Sequence, residues 1–512
     1  MEEPRPGVDG SLFPDRTSPV PLSRQLLQRL RQAIRSGALA QGSRLLPTRE
    51  FAARLGVSRN TVVAATDQLI SEGYLVARVG SGTFVARGLE AASAPRGMVR
   101  LELPPSAQRY LTIAGDMPNY GGKLIPFLTG VPDIAAFPFA AWDRFARRLR
   151  SHPNRFGYGD PSGVARLRIV LADHLRQFRG LSVTSDDIVI VEGAQAAITL
   201  IANVMLEPGE PVLLEDPCCA AARVAFAAHG ASIVSTPTDE IGLRGEGAPA
   251  ARLAFVTPSH QYPLGGTMTP DRRSALFTWA RTHDAYIVEE DYDGEFRFHS
   301  PSLPALQSAD ADSRVIYVGT FSKALAPGLR IGYVVAPPHL APAFRAARAA
   351  SSLGADPHTQ HILAEFIAEG CLARHVRRMT SEYQRRAELL ARLLAPLSDR
   401  LRMAPVTGAL HLTVIGGPGL DDRAIARAAY ERGVFLHPIS ADCDVRTDLR
   451  GFALGFGAAP CDVIPDAVER FREVLDESPT ALGTARHWFF GNMRVRTIAD
   501  HSRADDRLEV SQ

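Results

Sequence analysis

The apolar residues near the N-terminus predict three short helices and a hairpin. Leucine or isoleucine recurs every four positions from Leu22 to Ile34, which places these side chains on one face of a helix that ends at Gly37. A second helix is predicted within PTREFAARLG, and Ser58 can cap a third helix within SRNTVVAATDQLISEG. Two β-prone runs then flank the turn GSG at residues 80–82. This order of elements predicts a winged helix-turn-helix.

A different pattern begins beyond Pro126, where short apolar runs alternate with helical stretches. The runs include DIVIVEG, PVLLEDP, LAFVTP, AYIVEED, RVIYVGT and RIGYVVAP. Such alternation predicts an α/β fold with a mostly parallel sheet and helices on both faces. Residues 88–119 are rich in Ala, Pro and Gly without clear periodicity, which predicts a linker. The predicted segments are a winged helix at 18–88, a linker at 89–122, an α/β domain at 123–478 and a polar tail at 479–512.

Length and composition restrict the class of protein further. A chain of 512 residues is too long for one ordinary core and predicts several domains. No apolar stretch approaches the roughly 20 residues that a membrane helix requires, and the start MEEPRPGVDG is unlike a secretory signal. The five cysteines have neither metal-ligand spacing nor a compact disulfide framework. We therefore expect a cytoplasmic protein with no membrane contact and no metal site.

The positive charge is concentrated in the predicted winged helix. Between Arg16 and Arg87 there are eleven arginines and three acidic residues, which favours an anionic partner, although arginine-rich faces are often only solvated surface. A recognition helix needs polar and cationic side chains in its first turn, and a wing needs a backbone that approaches a groove closely. The candidate DNA-binding residues are Arg44, Arg49, Ser58, Arg59, Asn60, Thr61, Gly80, Ser81 and Gly82.

Three motifs in this region resemble the DNA-binding domain of the GntR family of bacterial regulators. They are LPTREFAARL, the recognition-helix start SRNTV and the wing GSGTFV, in the family's order, and the resemblance covers residues 20–86. It implies sequence-specific binding to double-stranded DNA, with Arg49, Arg59 and Thr61 among the contacts. Phe51 stands where the family usually has leucine, which affects only packing.

Lys323 is one of only two lysines in the chain, the other being Lys123. A primary amine can form a Schiff base with an aldehyde, whereas a guanidinium cannot, although a lone lysine is ordinarily a surface cation. Its stretch, GTFSKALAPGLRIGY, also contains hydroxyl groups and Arg330, which can bind a phosphate. The strand-Gly-helix stretch IVIVEGAQAAITL offers the free N–H groups of a helix N-terminus to the same phosphate.

Acidic and phenolic residues follow another apolar run, in YIVEEDYDGEF. Because side chains two apart on a strand share a face, Glu290 and Tyr292 are predicted to point together while Asp291 faces the other way. An acid for a pyridinium nitrogen and a phenol near a ring hydroxyl suit an electron-sink cofactor. The loop TPSHQYPLGG adds Tyr262, although it can also be an ordinary turn.

Together these motifs resemble fold-type I aminotransferases, and specifically the aminotransferase-like domain of MocR/GabR-type regulators, over roughly residues 123–475. The resemblance implies pyridoxal 5′-phosphate as cofactor, with Lys323 carrying the internal aldimine, Arg330 the phosphate and Tyr292 the ring hydroxyl. Arg450, in RGFALGF, lies where such proteins hold an amino-acid carboxylate. The predicted cofactor-binding residues are Gly193, Ala194, Gln195, Tyr262, Glu290, Asp291, Tyr292, Thr320, Ser322, Lys323 and Arg330.

Two departures from the family pattern affect the predicted function. Cys219, in EDPCC, replaces an aromatic residue that would stack on the cofactor ring, and Glu290 replaces the usual aspartate at the ring nitrogen, with Asp291 as the alternative acid. Both changes argue against efficient transamination more than against cofactor binding. We expect a homodimeric transcription regulator that senses an amine, an amino acid or the cofactor itself. The alternatives are a working aminotransferase that carries a DNA-binding module, and a DNA-binding protein whose large domain has lost its cofactor and only dimerises.

Overall fold

A computed structural model of the chain describes residues 12–16, 18–88, 103–114, 125–150, 157–298, 304–406, 408 and 410–477. The chain divides into two compact units, Met1–Glu102 and Leu103–Gln512. The predicted polar tail at 479–512 lies outside the described residues, as do Lys123 and most of the predicted linker. Among the described helices, none is long and apolar enough to cross a membrane.

The first unit contains the three helices and the hairpin that the hydrophobic pattern predicts. Its elements are α1 (Leu22–Arg35), α2 (Thr48–Leu55), α3 (Arg59–Ser71), β1 (Leu75–Arg78) and β2 (Gly82–Val85). Leu26 and Leu30 of α1 are fully buried beside Val62 and Leu69 of α3, so the apolar stripes of these two helices form the core. Strands β1 and β2 pair antiparallel, and the winged helix-turn-helix is confirmed.

Two local signals end α2 and start α3. Gly56 has a left-handed backbone conformation with φ 66°, which closes α2 because glycine adopts positive φ without steric cost. The Ser58 side chain then accepts a hydrogen bond from the Thr61 backbone N–H at 3.1 Å, as an N-cap does. The turn between the two helices is therefore specified by two residues, as the sequence predicted.

The second unit contains a seven-stranded sheet with the order β3-β9-β8-β7-β6-β4-β5. Its strands are β3 (Ile188–Val191), β4 (Pro211–Asp216), β5 (Ser232–Pro237), β6 (Leu253–Val256), β7 (Tyr286–Asp291), β8 (Val315–Thr320) and β9 (Gly332–Val335). Strands β4 to β8 are mutually parallel, and only β9 runs antiparallel to its neighbours β3 and β8. The mostly parallel sheet is confirmed, with β5 as a strand that the sequence reading did not identify.

Helices cover both faces of this sheet. They are α5 (Phe139–Arg148), α6 (Ala165–Arg179), α7 (Ala194–Met205), α8 (Ala220–His229), α9 (Pro270–Thr282), α10 (Phe321–Ala324), α11 (Ala341–Ser352), α12 (Pro357–Ala368) and α13 (Cys371–Leu394). Alternate residues of one strand enter different cores, since Ile188 packs with α6 and α12 while Val189 packs with α7 and α11. The near-continuous apolar strands follow from this burial on both faces.

A smaller antiparallel sheet completes the second unit, with the strand order β10-β11-β13-β12. Its elements are β10 (Leu401–Met403), β11 (His411–Gly416), α14 (Asp422–Glu431), β12 (His437–Pro438), β13 (Arg450–Gly455) and α15 (Ile464–Glu477). Phe452 and Phe471 lie in a separate apolar core and contact each other edge to face with ring centroids 5.4 Å apart. Asp216, at the end of β4, accepts N–H bonds from Asp444, Val445 and Arg446 at 2.8 Å each, and so ties the two sheets together.

The segment predicted as a linker contains a helix, α4 (Pro105–Ala114). The helix begins at Pro105, whose fixed φ suits the first position of a helix, and Ala, Gln, Arg and Leu follow. Arg109 lies over the end of α8, because a Cβ added at Gly230 would fall 3.2 Å from its guanidinium. The Ala/Pro/Gly-rich composition hid this element, and its helical stretch belongs to the second unit.

Candidate cofactor site and DNA-binding surface

The first turn of α3 presents the residues that the sequence assigns to DNA. Arg59 and Asn60 are exposed, and Thr61 is half-buried with its hydroxyl 2.8 Å from that of Ser58. Arg49, in the first turn of α2, is exposed as well. Ser58 and Thr61 therefore fix the start of the helix. The exposed side chains that face solvent are Arg59, Asn60 and Arg49, and Arg59 Nε also donates to the Thr48 hydroxyl at 3.5 Å.

The hairpin between β1 and β2 forms the wing. Gly80 and Gly82 have φ values of 74° and 110°, which an L side chain rarely adopts, so the turn requires glycine at both positions. The Ser81 N–H donates to the Arg78 carbonyl at 3.0 Å and closes the turn. A Cβ at Gly82 would lie 2.8 Å from Nε of Arg44. Arg44 thus lies against the wing and supports it.

The candidate cofactor site of the second unit lies at the carboxyl edge of the large sheet. Five strands end at this edge: β3, β4, β6, β7 and β8. Strand β3 points the same way as the others, because both β3 and β8 are antiparallel to β9, which lies between them. The chain therefore delivers a loop or helix start from each of them to one place. In open α/β sheets this edge is where ligands bind.

Lys323 lies in the short helix α10, which follows β8 directly. Its Nζ is partly buried and donates a hydrogen bond to the carbonyl of Gly130. Burial lowers the pKa of Lys323, whereas the nearby Cys219, Asp293 and Glu290 raise it. A desolvated amine loses its proton more readily than a surface lysine, which suits it to act as a nucleophile.

Glu290 and Asp291 occupy opposite faces of β7. Burial raises the pKa of Glu290 to about 7, and the Lys323 charge opposes this shift, so Glu290 lies on the lysine side. Asp291 is buried in an ion pair with Arg179, with Oδ2 2.5 Å from Nη2, and accepts a hydrogen bond from Tyr317 Oη at 2.7 Å. The alternation of the strand explains the difference, and it argues against Asp291 as the alternative cofactor acid.

Residues predicted to hold phosphate lie around the N-terminus of α7. Gly193 has φ 92° and no side chain caps the helix, so its first N–H groups are not taken by a capping residue. A Cβ on Gly193 would lie 3.4 Å from Nη2 of Arg330, which also donates to the Glu192 carbonyl at 2.6 Å. A Cβ on Gly332 would approach Cα of Gly193 to 2.7 Å, so β9 and this turn pack backbone to backbone.

Hydroxyl groups complete this end of the site. Thr320 Oγ1 lies 3.0 Å from Ser322 Oγ and accepts the Ser322 N–H at 3.2 Å. Gln195 turns away, since its Nε2 donates to the Ala221 carbonyl at 3.0 Å, and Ala194 packs on the apolar core. Gln195 and Ala194 therefore offer only their backbone N–H groups to a ligand.

Aromatic and imidazole rings form the opposite side of the site. Tyr262 contacts Tyr292 with ring centroids 6.1 Å apart and His411 at 5.5 Å. Tyr292 Oη lies 2.7 Å from Nδ1 of His260. His260 stands two residues before Tyr262 in the quoted loop, so a signal for it existed. His411 comes from β11, and nothing local in the sequence indicates that it reaches this site.

Cys219 and Arg450 differ in how the structure places them. Cys219 is the residue before α8. Burial and, to a smaller extent, the charge of Glu290 raise the pKa of its thiol to about 12. The thiol is therefore neutral and borders the carboxyl group and the amine of the site. Arg450 begins β13 and donates to the Leu449 carbonyl at 2.7 Å. In the described contacts it is not joined to the Lys323 group.

These residues suit an aldehyde cofactor that carries a phosphate and a pyridine ring. The uncapped helix N-terminus and Arg330 match a dianionic phosphate, and the amine of Lys323 lies at the same strand edge as Glu290. Tyr292 provides a phenol on that side. The chemistry of the donor set thus fits the cofactor that the motifs indicated.

Two families of known proteins match the chain. Residues 22–85 match the bacterial regulatory proteins of the gntR family, and residues 124–450 match aminotransferase class I and II. The probable rhizopine catabolism regulatory protein MocR of Rhizobium meliloti is 37% identical over 90% of this chain and 95% of its own. The HTH-type pyridoxine biosynthesis transcriptional regulator PdxR of Corynebacterium glutamicum is 32% identical over 87% of this chain and 94% of its own.

A solved structure supports the fold of the second unit. The kynurenine aminotransferase of Pyrococcus horikoshii, in complex with PMP, is 25% identical and superposes with a TM-score of 0.64. That match covers 74% of this chain and 95% of the other. The chain as a whole matches regulators, and its second unit alone matches enzymes. With a gntR-family helix-turn-helix followed by an aminotransferase class I and II domain, the chain belongs to the MocR-type transcription regulators of the GntR family.

Proposed function

We propose that the regulator binds pyridoxal 5′-phosphate in the second unit and senses a small amine, an amino acid or the cofactor itself. The observation that carries this proposal is the partly buried Lys323 at the strand edge that Arg330 and the α7 N-terminus share. When bound, the cofactor supplies an aldehyde that exchanges one amine for another. Lys323 would hold it, Arg330 its phosphate, and Glu290 its ring nitrogen.

The path from ligand to DNA requires two arrangements of the chain with different affinities for the ligand. An amine that replaced Lys323 on the aldehyde would free the lysine amine, whose pKa is lowered by burial and raised by the nearby Glu290. Arg450 is our candidate for an effector carboxylate, by resemblance. Class I and II aminotransferases typically form dimers, and we propose a homodimer that works in the cytoplasm, where its DNA is.

The names of the relatives give two effector classes to test. One relative is named for rhizopine catabolism and another for pyridoxine biosynthesis, and the experiment that tests the proposal uses small amines and pyridoxal phosphate as ligands. Fluorescence anisotropy on DNA from the chain's own promoter region would be measured with cofactor-free protein, with pyridoxal phosphate and with added amines. We expect at least one ligand to change the Kd about tenfold, a coupling of about 1.4 kcal/mol. Equal Kd values in all states would contradict sensing.

The aminotransferase alternative is tested in the same preparation. Incubation of the loaded protein with amino donors and a keto acid should give little product beyond one equivalent, because Cys219 cannot stack on a ring as an aromatic residue would. Many turnovers per site, together with a DNA affinity that no ligand changes, would favour the enzyme over the sensor.

Arg59→Ala is expected to weaken binding to promoter DNA about tenfold or more. Arg59 is exposed in the first turn of the recognition helix, where an arginine contacts a base edge or a phosphate. Anisotropy titrations at several salt concentrations measure both the Kd and the salt slope. The matched control is Arg31→Gln, because Arg31 is paired with Glu72 at 2.7 Å. Equal losses in the two variants would contradict the assigned recognition helix.

Arg330→Ala is expected to weaken pyridoxal phosphate binding about ten- to a hundredfold, the usual range for a lost charge-assisted hydrogen bond. The Kd is measured by absorbance titration, with inorganic phosphate as a competitor. Arg345→Ala is the control, because this half-buried arginine donates to the Asp186 carbonyl on another part of the surface. Arg330→Lys should recover only part of the affinity, since lysine lacks the planar fork. An unchanged Kd in Arg330→Ala would refute the phosphate assignment.

A further inference from the structure

A buried cluster adjoins the cofactor site, formed by His260, Asp293, His411 and the phenol of Tyr292. These three side chains are almost fully buried: His260 is 4% exposed, Asp293 2% and His411 4%. His260 and His411 contact each other edge to face at 4.9 Å. Polar groups buried to this extent must satisfy one another, so the positions of their protons are restricted.

The contacts between Tyr292 and His260 determine where two of these protons lie. The phenol oxygen is 2.7 Å from His260 Nδ1 and 3.0 Å from the His260 carbonyl oxygen. A phenol has one proton, and a carbonyl can only accept. Both contacts are hydrogen bonds only if the phenol donates to the carbonyl oxygen while Nδ1 carries a proton and donates to the phenol oxygen.

Asp293 favours the same tautomer of His260. Its Oδ2 lies 3.7 Å from Nδ1 and has no hydrogen-bond partner among the described residues. Burial raises the pKa of Asp293 well above its ordinary value, and whenever Oδ2 carries no proton it favours a proton at Nδ1 over a lone pair there. Burial also holds the pKa of His260 well below its ordinary range, so the ring is neutral and only the choice of tautomer remains.

We propose that His260 is a positioning residue that keeps its proton on Nδ1 and donates it to Tyr292, so that the phenol's own proton, which the His260 carbonyl accepts in this structure, can turn to the cofactor's ring oxygen as a donor. This inference rests on the proposed cofactor. A donor on the phenol oxygen polarises its O–H and strengthens the bond that it gives. Tyr292 then stabilises negative charge on the ring oxygen, and the cofactor's visible band changes at a lower pH than it would without His260.

Other charged or titratable groups face this pair and are held constant in the test. The groups around His260 and Tyr292 lie on β7 and the loop after it, at the start of α8, on β11, on α10 and in the loop that contains Tyr262. The groups concerned are Glu290, Asp293, Arg297, Cys219, His411, Lys323 and Tyr262.

The first experiment uses cofactor-free protein and measures the tautomer directly. Long-range proton–nitrogen NMR on ¹⁵N-histidine-labelled protein distinguishes Nδ1–H from Nε2–H, and the His260→Asn spectrum identifies the signal. We expect the Nδ1–H tautomer. The Nε2–H tautomer would overturn the proposal, and so would an equimolar metal ion found by elemental mass spectrometry, since the three ligand atoms lie within 4.8 Å of one another.

The second experiment follows the visible band of the cofactor-loaded protein against pH. His260→Leu should raise the midpoint by about one pH unit, the size of one ordinary hydrogen bond. His260→Asn should restore most of the shift, because the asparagine N–H can occupy the place of Nδ1–H. In a Tyr292→Phe background, His260→Leu should shift nothing further, whereas an equal shift there would overturn the proposal. His229→Gln, distant on the end of α8, is the control.

Failure of this inference and failure of the proposed cofactor give different results. A wild-type protein without any visible band contradicts cofactor binding, while the NMR measurement still decides the tautomer. A visible band whose midpoint is the same in wild type and in His260→Leu contradicts the role of His260 alone.

Discussion

Lys323→Ala protein is expected to show no visible cofactor band and no covalent adduct after borohydride reduction. A Schiff base with the aldehyde requires a primary amine, and Lys323 is the amine that lies at the strand edge with Arg330 and Glu290. Absorbance measures the band, and mass spectrometry of the peptide that contains residue 323 measures the adduct. The loss should be complete, because Lys323 is the only lysine among the residues that the structure describes.

Two further variants separate chemistry from charge. Lys323→Arg keeps a cation but lacks a nucleophilic amine, so it should lose the band as fully as Lys323→Ala does. Lys123→Ala removes the other lysine of the chain and should leave the band unchanged. A wild-type band in Lys323→Arg, or an adduct found on Lys123, would refute the assignment of Lys323.

Lys323→Ala also tests whether the bound cofactor changes the affinity for promoter DNA. If the regulator senses the cofactor itself, Lys323→Ala should bind promoter DNA as the cofactor-free wild type does, and adding pyridoxal phosphate should change nothing. A ligand shifts an equilibrium only through different affinities for its two states. A wild-type response to pyridoxal phosphate in Lys323→Ala would separate sensing from the covalent bond.

The sequence could point to this lysine because the residues that suggest its role are local. Lys323, Ser322 and Arg330 lie within one stretch of the chain, and the turn between them gives Arg330 a left-handed backbone with φ 50° that directs it back toward the same place. The winged helix is predicted for a similar reason, since Gly56 and Ser58 end one helix and cap the next within three residues. Such signals need no knowledge of the rest of the fold.

The rest of the site depends on contacts between distant parts of the chain. His411 reaches His260 from a strand of the smaller sheet, and Asp216 receives its three N–H donors from a loop more than 200 residues later. Their local patterns are those of ordinary buried strands. Helix α4 was missed for a different reason. Its Pro and Ala residues are also typical of a linker, and only its packing on the end of α8 distinguishes it from one.

For the two acids of β7, the sequence predicts the orientation of the side chains but not their partners. Strand alternation correctly places Glu290 and Asp291 on opposite faces, but it cannot say which face has the lysine and which has a buried arginine. Arg179 comes from the end of α6, and its side chain is as buried as that of Asp291. Asp291 pairs with Arg179 and stabilises the fold, which leaves Glu290 as the proposed acid for the cofactor ring.

Asp291→Asn is expected to lower the free energy of unfolding by about 3–5 kcal/mol, because it removes the carboxylate of a buried ion pair. The side chains of Arg179 and Asp291 are each 3% exposed, and Nη2 lies 2.5 Å from Oδ2. Urea unfolding of the cofactor-free protein, followed by tryptophan fluorescence and circular dichroism, measures the change. An Arg179→Met, Asp291→Leu double variant should recover much of the loss, since neither charge then remains.

Glu290→Gln is the matched control, because it changes the next residue of the same strand on the other face. Burial raises the pKa of Glu290 to about 7, against about 4.5 in the unfolded chain, so the carboxylate costs stability as the pH rises through this interval. Neutral glutamine removes that cost, and this variant should unfold no more easily than wild type at pH 8. It should weaken cofactor binding, while folded Asp291→Asn retains the visible band. A stable Asp291→Asn protein that has lost the band would instead make Asp291 the acid of the cofactor ring.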